Sequence, residues 1–527
     1  MDQLFVHGHI LSLDRLAGDA LWVRDGRILT AGDGETLKTA FPAKGEIIDC
    51  GGGTLMPGFI DAHSHLTSYA ATLGLIPLKD CTSYDEIISS FVSHINKNPP
   101  KEGQWLMGFG YDHNRLKEGR HPTSRTLDRI SARIPILITH ASGHMGVLNT
   151  RAMELAGIGP DTPDPEGGHF GRENGAPNGY AEENAFIRIA ASAGRPDEEQ
   201  LARQLEEAQR VYLAHGVTTI QEGLVKAAEW AQLRTAAEKG RLLVDVVGYC
   251  DMKEHTGLLR QAGGYAQGYK NHLRLGGYKI FLDGSPQGRT AWMTQPYEPA
   301  GEGYRGYPIY TDDEVRAFVA QAVDEGRQLL AHANGDAAAE QLISAYEAVI
   351  SQRPGRSPAR PVMIHAQTVR PDQLPRMAAL SMVASFFVAH IPAWGDVHVQ
   401  NLGWERASRI SPCASALRAG VTFTFHQDTP VLEPDMLHTV QAAVLRETDK
   451  GRPLGEQERI SPLQALQAVT VNGAYQYGEE GEKGTLAPGK RADLVLLSGD
   501  PLACPPHEIG KLRVVRTIKD GKTLFEA

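Results

Sequence analysis

The chain has 527 residues, of which 41% are hydrophobic and 22% charged, and a net charge of −10 at pH 7. Its length calls for a large domain with one or two smaller modules. The acidic balance argues against nucleic acid or an anionic membrane as a partner, because excess Lys and Arg hold both. Cys50, Cys81, Cys250, Cys413 and Cys504 lie far apart with no C-x-x-C, so buried reduced thiols are expected in place of disulfides or a cysteine metal site. The first residues lack the basic and apolar regions of a signal peptide, and no apolar run nears the roughly 18 residues that span a bilayer. A soluble cytoplasmic protein is expected.

Residues 4–11, 20–23 and 27–30 read as short strands, with Asp25-Gly26 as a hairpin signal. The tail repeats this grammar: 492–497 and 514–518 are strand-like, and Asp520-Gly521 turns into 522–525. Each end is too small for a core of its own, so the two are expected to fold together as one small β-sandwich. Its N-terminal part would be 1–56 and its C-terminal part 481–527, with a barrel over 57–480 between them.

The run from Gly58 to His65 ends in two histidines one residue apart. If the run is a strand, alternation with period two points His63 and His65 the same way and makes them a candidate metal pair. A β/α barrel carries its chemistry at such strand ends. After His65 the spacing predicts a helix over 83–98 (apolar Ile87, Ile88, Phe91, Val92, Ile95), strands over 105–112 and 135–140, and a glycine-rich hairpin over 167–175. Residues from about 66 to 200 therefore read as an α+β insertion after strand one.

From about residue 200 helices alternate with strands at 217–220, 244–248, 277–281, 328–332, 362–365, 383–387 and 421–425. With the strand leading to His63 these make eight, the number that closes a barrel, and 313–325 and 336–350 are expected crossover helices. The predicted fold class is α/β, a distorted (β/α)8 TIM barrel with a small sandwich and an insertion. Lys279 lies within the fourth strand, His332 and His365 end the fifth and sixth, and Asp428 follows the eighth. Singly each is weak evidence for a ligand. Together they fall at one end of a barrel that the pattern produced independently.

The passages Pro57 to His65, Lys279 to Ser285, His332 to Asp336 and Gly484 to Leu494 resemble the amidohydrolase superfamily, and more narrowly its amidohydrolase-3 branch. The resemblance implies that His63 and His65 bind one ion beside Asp428 and that His332 and His365 bind a second. It places Lys279 where related enzymes carry a lysine carbamylated by carbon dioxide, which would bridge two ions. An ion pair of Lys279 with Asp283 or a nearby carboxylate is the alternative. One or two divalent ions, zinc by donor type, are the expected cofactor. Zinc would acidify a bound water, Asp428 would deprotonate it and pass the proton to the leaving nitrogen, and a second ion or a histidine would stabilise the oxyanion.

The expected reaction is hydrolysis of a C–N bond in an amide or N-substituted formamide, with a small-molecule substrate and no nucleic acid or membrane partner; monomer and homodimer stay open. The resemblance also offers Asp112, His144 and Asn149 from the insertion, and Arg289 and Trp292 after strand four, as substrate-binding residues. Two alternatives are deamination of a ring amine on the same fold and a non-catalytic scaffold homologue. Related deaminases carry a glutamate three residues after a strand-five or strand-six histidine, where this chain has Gly335 and Thr368. A scaffold would be favoured by missing ligands, and none is missing.

Overall fold

A computed structural model describes every residue except 15–17, 114, 142, 144, 194–197 and 299–302, together with all side chains of the rest but those of 187, 191 and 192. The chain forms two compact units, one of residues 1–67 with 208–527 and one of residues 68–207. Among the described residues no helix is long and apolar enough to cross a membrane.

The first unit is built on an eight-stranded, all-parallel sheet of the TIM-like α/β class. Its strands are adjacent in chain order: Phe59–Ile60, Val217–Val225, Asp245–Asp251, Leu273–Phe281, Gln328–Ala333, Val362–His365, Val383–Phe386 and Phe423–Phe425. They are rich in Val, Ile and Phe and almost wholly buried, as parallel strands covered on both faces must be. The crossover helix Asp312–Asp324 shows how local sequence sets the alternation. Thr311 and Glu314 close a capping box, and Val315, Val319, Ala322 and Val323 form its buried stripe.

No ladder joins the first and last strands of this sheet among the described residues. The seam is bridged from residues 469–477. Ile60 N donates to Val469 O at 2.8 Å, and Asn472 Nδ2 to Phe423 O at 2.8 Å. Gln476 accepts from Thr424 Oγ1 on strand eight and donates to Ala62 O beyond strand one, both at 2.8 Å.

The chain ends supply two smaller sheets. Asp2–Val6, Ala20–Arg24, Arg27–Gly32 and Glu46–Asp49 form one; His9–Ile10, Thr54–Pro57, Leu494–Leu497, Val514–Lys519 and Lys522–Glu526 form the other. Asp25-Gly26 and Asp520-Gly521 make the hairpin turns, with φ between +50° and +75° at all four residues, the signature of the two-residue turn that matches strand twist. The single strand expected over residues 4–11 is instead two. His7 takes a φ of +53°, which breaks the run and sends its halves into different sheets.

A buried charge cluster ties the C-terminal segment to the floor of the barrel sheet. Asp245, first residue of the third strand, meets Lys483 and, at 2.9 Å, Lys519; Lys483 also lies 2.9 Å from Glu479, and Lys519 lies 2.8 Å from Asp493. Burial pushes the Asp245 carboxyl upward, but the two ammonium groups outweigh it and hold it well below the usual carboxylate range. Removing one partner of a buried pair strands the others, at a cost of about 3–5 kcal/mol.

The second unit carries a six-stranded sheet in the order Gly168–Glu173, Ala176–Glu183, Met145–Leu148, Ile136–His140, Leu106–Tyr111 and Ile76–Pro77. The helix Tyr84–Lys97 buries Ile87 and Phe91 in a cluster with Leu106, Ile136 and Ile138.

Asp245→Asn is expected to lower unfolding free energy by about 3–5 kcal/mol near neutral pH in urea titrations. Because the folded Asp245 pKa is depressed, its contribution is complete above the unfolded value of about 4 and fades as pH falls below it. The gap between wild type and variant should therefore narrow towards pH 3. A gap that widens on acidification would contradict the assignment.

Candidate metal centre

Six side chains converge where the barrel strands end. The first strand stops at Ile60, so His63 and His65 belong to the segment after it, not to the strand itself. They still face one carboxylate: His63 Nε2 and His65 Nε2 lie 3.3 and 3.5 Å from Asp428 Oδ1. His365 Nε2 lies 3.9 Å from Asp428 Oδ2 and 3.1 Å from His332 Nδ1. Lys279 Nζ, fully buried, sits 3.4 Å from His63 Nε2.

The hydrogen-bond pattern leaves lone pairs pointing inward. Gln221 Nε2 donates to Ala62 O at 2.7 Å and to Tyr477 Oη at 3.0 Å, so its Oε1 must accept from His63 Nδ1, 2.6 Å away. That fixes the His63 proton on Nδ1 and frees Nε2. Tyr477 in turn donates to Asp61 O at 2.7 Å and steadies the backbone that carries His63. His332 Nε2 donates to Gly284 O at 3.0 Å, which leaves Nδ1 with its lone pair, facing His365 Nε2 at 3.1 Å. Burial first, then the Lys279 charge, holds His63 well below the usual histidine range and His332 down at about 3. Neutral imidazoles are the form that binds metal.

A divalent ion fits this donor set. Asp428 Oδ1 is buried and takes part in no hydrogen bond among the described residues, a costly state unless something else neutralises it. Tetrahedral zinc with bonds of about 2.0–2.2 Å keeps its donors about 3.3–3.6 Å apart, and the two histidine distances to Asp428 Oδ1 match. Backbone geometry is committed to the same end. His365 and Asp428 have φ of +69° and +52°, conformations costing about 1–3 kcal/mol each for non-glycine residues and typical of functional sites. Lys279 does not pair with Asp283. That carboxylate accepts from the backbone of Trp292, Asn334 and Gly335 at 2.7–3.0 Å.

Several contributors carried no recognised sequence signal. Gly223 lies so close to His63 that a Cβ would sit 2.6 Å from the ring, and Glu222 Oε1 is 3.8 Å from His65 Nδ1. His426 sets its buried ring edge-on to His63, with centroids 5.2 Å apart, and tilted against His365 at 5.1 Å. Only the polar run Gln221-Glu222-Gly223, interrupting an apolar strand at its C-terminal end, could have flagged the first two.

The proposed substrate residues fare unevenly. Arg289 is exposed, and its Nε donates to Asn401 Oδ1 at 2.8 Å; Trp292 is partly buried. Asp112 lies in the second unit, beside His113 and His140. His144 falls outside the described residues. Asn149 serves as a brace: it caps the helix Thr150–Leu155, accepts from Ile136 and Ala152, and donates to Ser131 O and Ile134 O. Met293, Thr294, Asp336, Thr368, Arg370 and Arg409 border a cavity of about 360 Å³, but none of the six convergent residues does.

Fold and site together define a metal-dependent hydrolase on a TIM-like α/β frame. The family model described as "Amidohydrolase family" matches residues 46–525, and the chain belongs to that family. It is 29% identical to N-substituted formamide deformylase of Arthrobacter pascens, covering 100% of this chain and 98% of that one. It is 28% identical to Protein LONG AFTER FAR-RED 3 of Arabidopsis thaliana, over 94% of this chain and 87% of the other. The crystal structure of an uncharacterized metal-dependent hydrolase from Pyrococcus furiosus aligns with a TM-score of 0.78 at 26% identity, covering 95% of this chain and 100% of that one.

Replacing Gln221 with Leu should free the His63 ring to rotate and lower metal affinity about 10- to 100-fold, read by competition with a chromophoric chelator. Unchanged affinity would show that Gln221 does not orient His63.

Proposed function

We propose that this protein hydrolyses the C–N bond of a small amide, with N-substituted formamides as the leading substrate class. The observation that carries the reading is the convergence of His63, His65 and His365 on the Asp428 carboxylate; the full-length likeness to a formamide deformylase supports the substrate class. His63, His65 and Asp428 would hold one divalent ion, zinc by donor type, and His332 and His365 a second. Such an ion supplies Lewis acidity, bringing the pKa of water from about 16 towards about 7.

Asp428 would take a proton from the attacking water and deliver it to the departing nitrogen. Burial raises its carboxyl above the ordinary range, while His65 and Lys279 oppose that rise. Burial also pulls the Lys279 ammonium far below the usual lysine range, with Asp428 opposing. An unprotonated amine is the form that adds carbon dioxide, and the resulting carbamate would give two ions a shared anionic ligand. The deaminase alternative gains no support: Gly335 packs against the Trp292 backbone and Thr368 Oγ1 donates to Asn334 O. We also read the two terminal sheets as halves of one sandwich, supported by a core in which Phe5, Leu21 and Ile28 join Leu55, Leu494 and Ile518.

Metal-loaded protein should be screened against N-substituted formamides, N-acyl amino acids and cyclic amides. Asp428→Asn is expected to lower kcat on the best substrate about 10²- to 10⁴-fold, and chelation should abolish turnover until zinc is restored. Full activity in the variant would remove Asp428 as the proton carrier. Full activity after exhaustive chelation would overturn the reading as a whole.

A further inference from the structure

Asp112 and His113 directly follow the strand Leu106–Tyr111, and His140 ends the neighbouring parallel strand Ile136–His140. His140 is paired with Tyr111, and a register shift between Thr139 and His140 re-aims that strand end. Three metal-capable side chains are thereby gathered at the C-terminal ends of two neighbouring interior strands of the six-stranded sheet. His113 Nδ1 and His140 Nε2 are 3.3 Å apart, His140 Nε2 is 3.6 Å from Asp112 Oδ1, and His113 Nδ1 is 3.9 Å from the same oxygen.

The His113–His140 contact is within hydrogen-bond reach, while the two distances to Asp112 Oδ1 exceed the common range of about 2.7–3.2 Å. All three are near the edges of about 3.3–3.6 Å that donors around one tetrahedral zinc ion share. Two imidazoles and one carboxylate are also a zinc-type donor set. The rings are held in place: His121 lies against His113 with centroids 4.0 Å apart and its Nδ1 3.0 Å from the Tyr111 hydroxyl, while Tyr111, fully buried, meets His140 edge-on at 5.3 Å. The Asp112 and His113 side chains keep 31% and 28% of their surface exposed, so an ion can reach them from solvent.

We propose that Asp112, His113 and His140 form a divalent transition-metal site, suited to zinc, whose ligands are entirely separate from those of the barrel centre. The site stands whether or not the barrel centre hydrolyses amides.

Chelator-stripped full-length protein should be titrated with cobalt(II), and bound metal counted per chain after gel filtration. The wild type is expected to bind one ion more than a His113→Gln/His140→Gln variant. Equal stoichiometry in a variant with native circular dichroism overturns the site and leaves a histidine cluster without metal. A measurement on the wild type guards against misfolding of the variant. Zinc should protect His113 from diethyl pyrocarbonate, read by peptide mass spectrometry; His113 labelling that zinc does not change overturns the proposal equally.

Discussion

A carboxylate buried among imidazoles is the constraint on which the centre rests. Asp428 Oδ1 faces His63 and His65 at 3.3 and 3.5 Å, without a hydrogen bond from any described residue. Taken alone, that arrangement is costly, because a desolvated carboxylate needs a counter-charge. His63 and His365 do not supply it, since burial first and neighbouring positive charge second hold both well below the usual histidine range. A divalent cation resolves both demands at once: it neutralises the carboxylate and uses the lone pairs that the surrounding hydrogen bonds leave free.

The rest of the first unit reads as the means of holding that cluster. Left-handed backbone at His365 and Asp428 persists because the sheet and loop contacts around them over-determine it. Val469, Asn472, Gln476 and Tyr477 bridge the first and last strands and brace residues 60–62, immediately before the histidine pair. Asp245, Lys483 and Lys519 then fasten the C-terminal segment to the sheet floor. The tail thus helps to position a ligand far from it in sequence.

Much of this was legible in the sequence, and for physical reasons. Seven barrel strands stand out as β-branched and aromatic runs because both faces of a parallel sheet are buried, and Lys279, His332 and His365 lie on those strands. Pairings between distant segments were not legible. Gln221 meets His63 across 158 positions and Tyr477 across 256, and no local periodicity encodes such contacts. The break at His7 did have a local cue, since His7-Gly8-His9 interrupts the apolar residues and an isolated glycine inside a strand pattern marks an irregularity. Asn149, one of the substrate candidates, carried a local cue for a bracing role, since an Asn just before a helical segment is a good cap. Its four hydrogen bonds show that role.

The central claim, that His63, His65 and Asp428 are the common ligands of one divalent ion, is tested most directly by anomalous scattering at the zinc edge from crystals of zinc-loaded protein. The account predicts a peak bounded by His63 Nε2, His65 Nε2 and the Asp428 carboxylate. A fully loaded crystal with those three groups free of metal would contradict it.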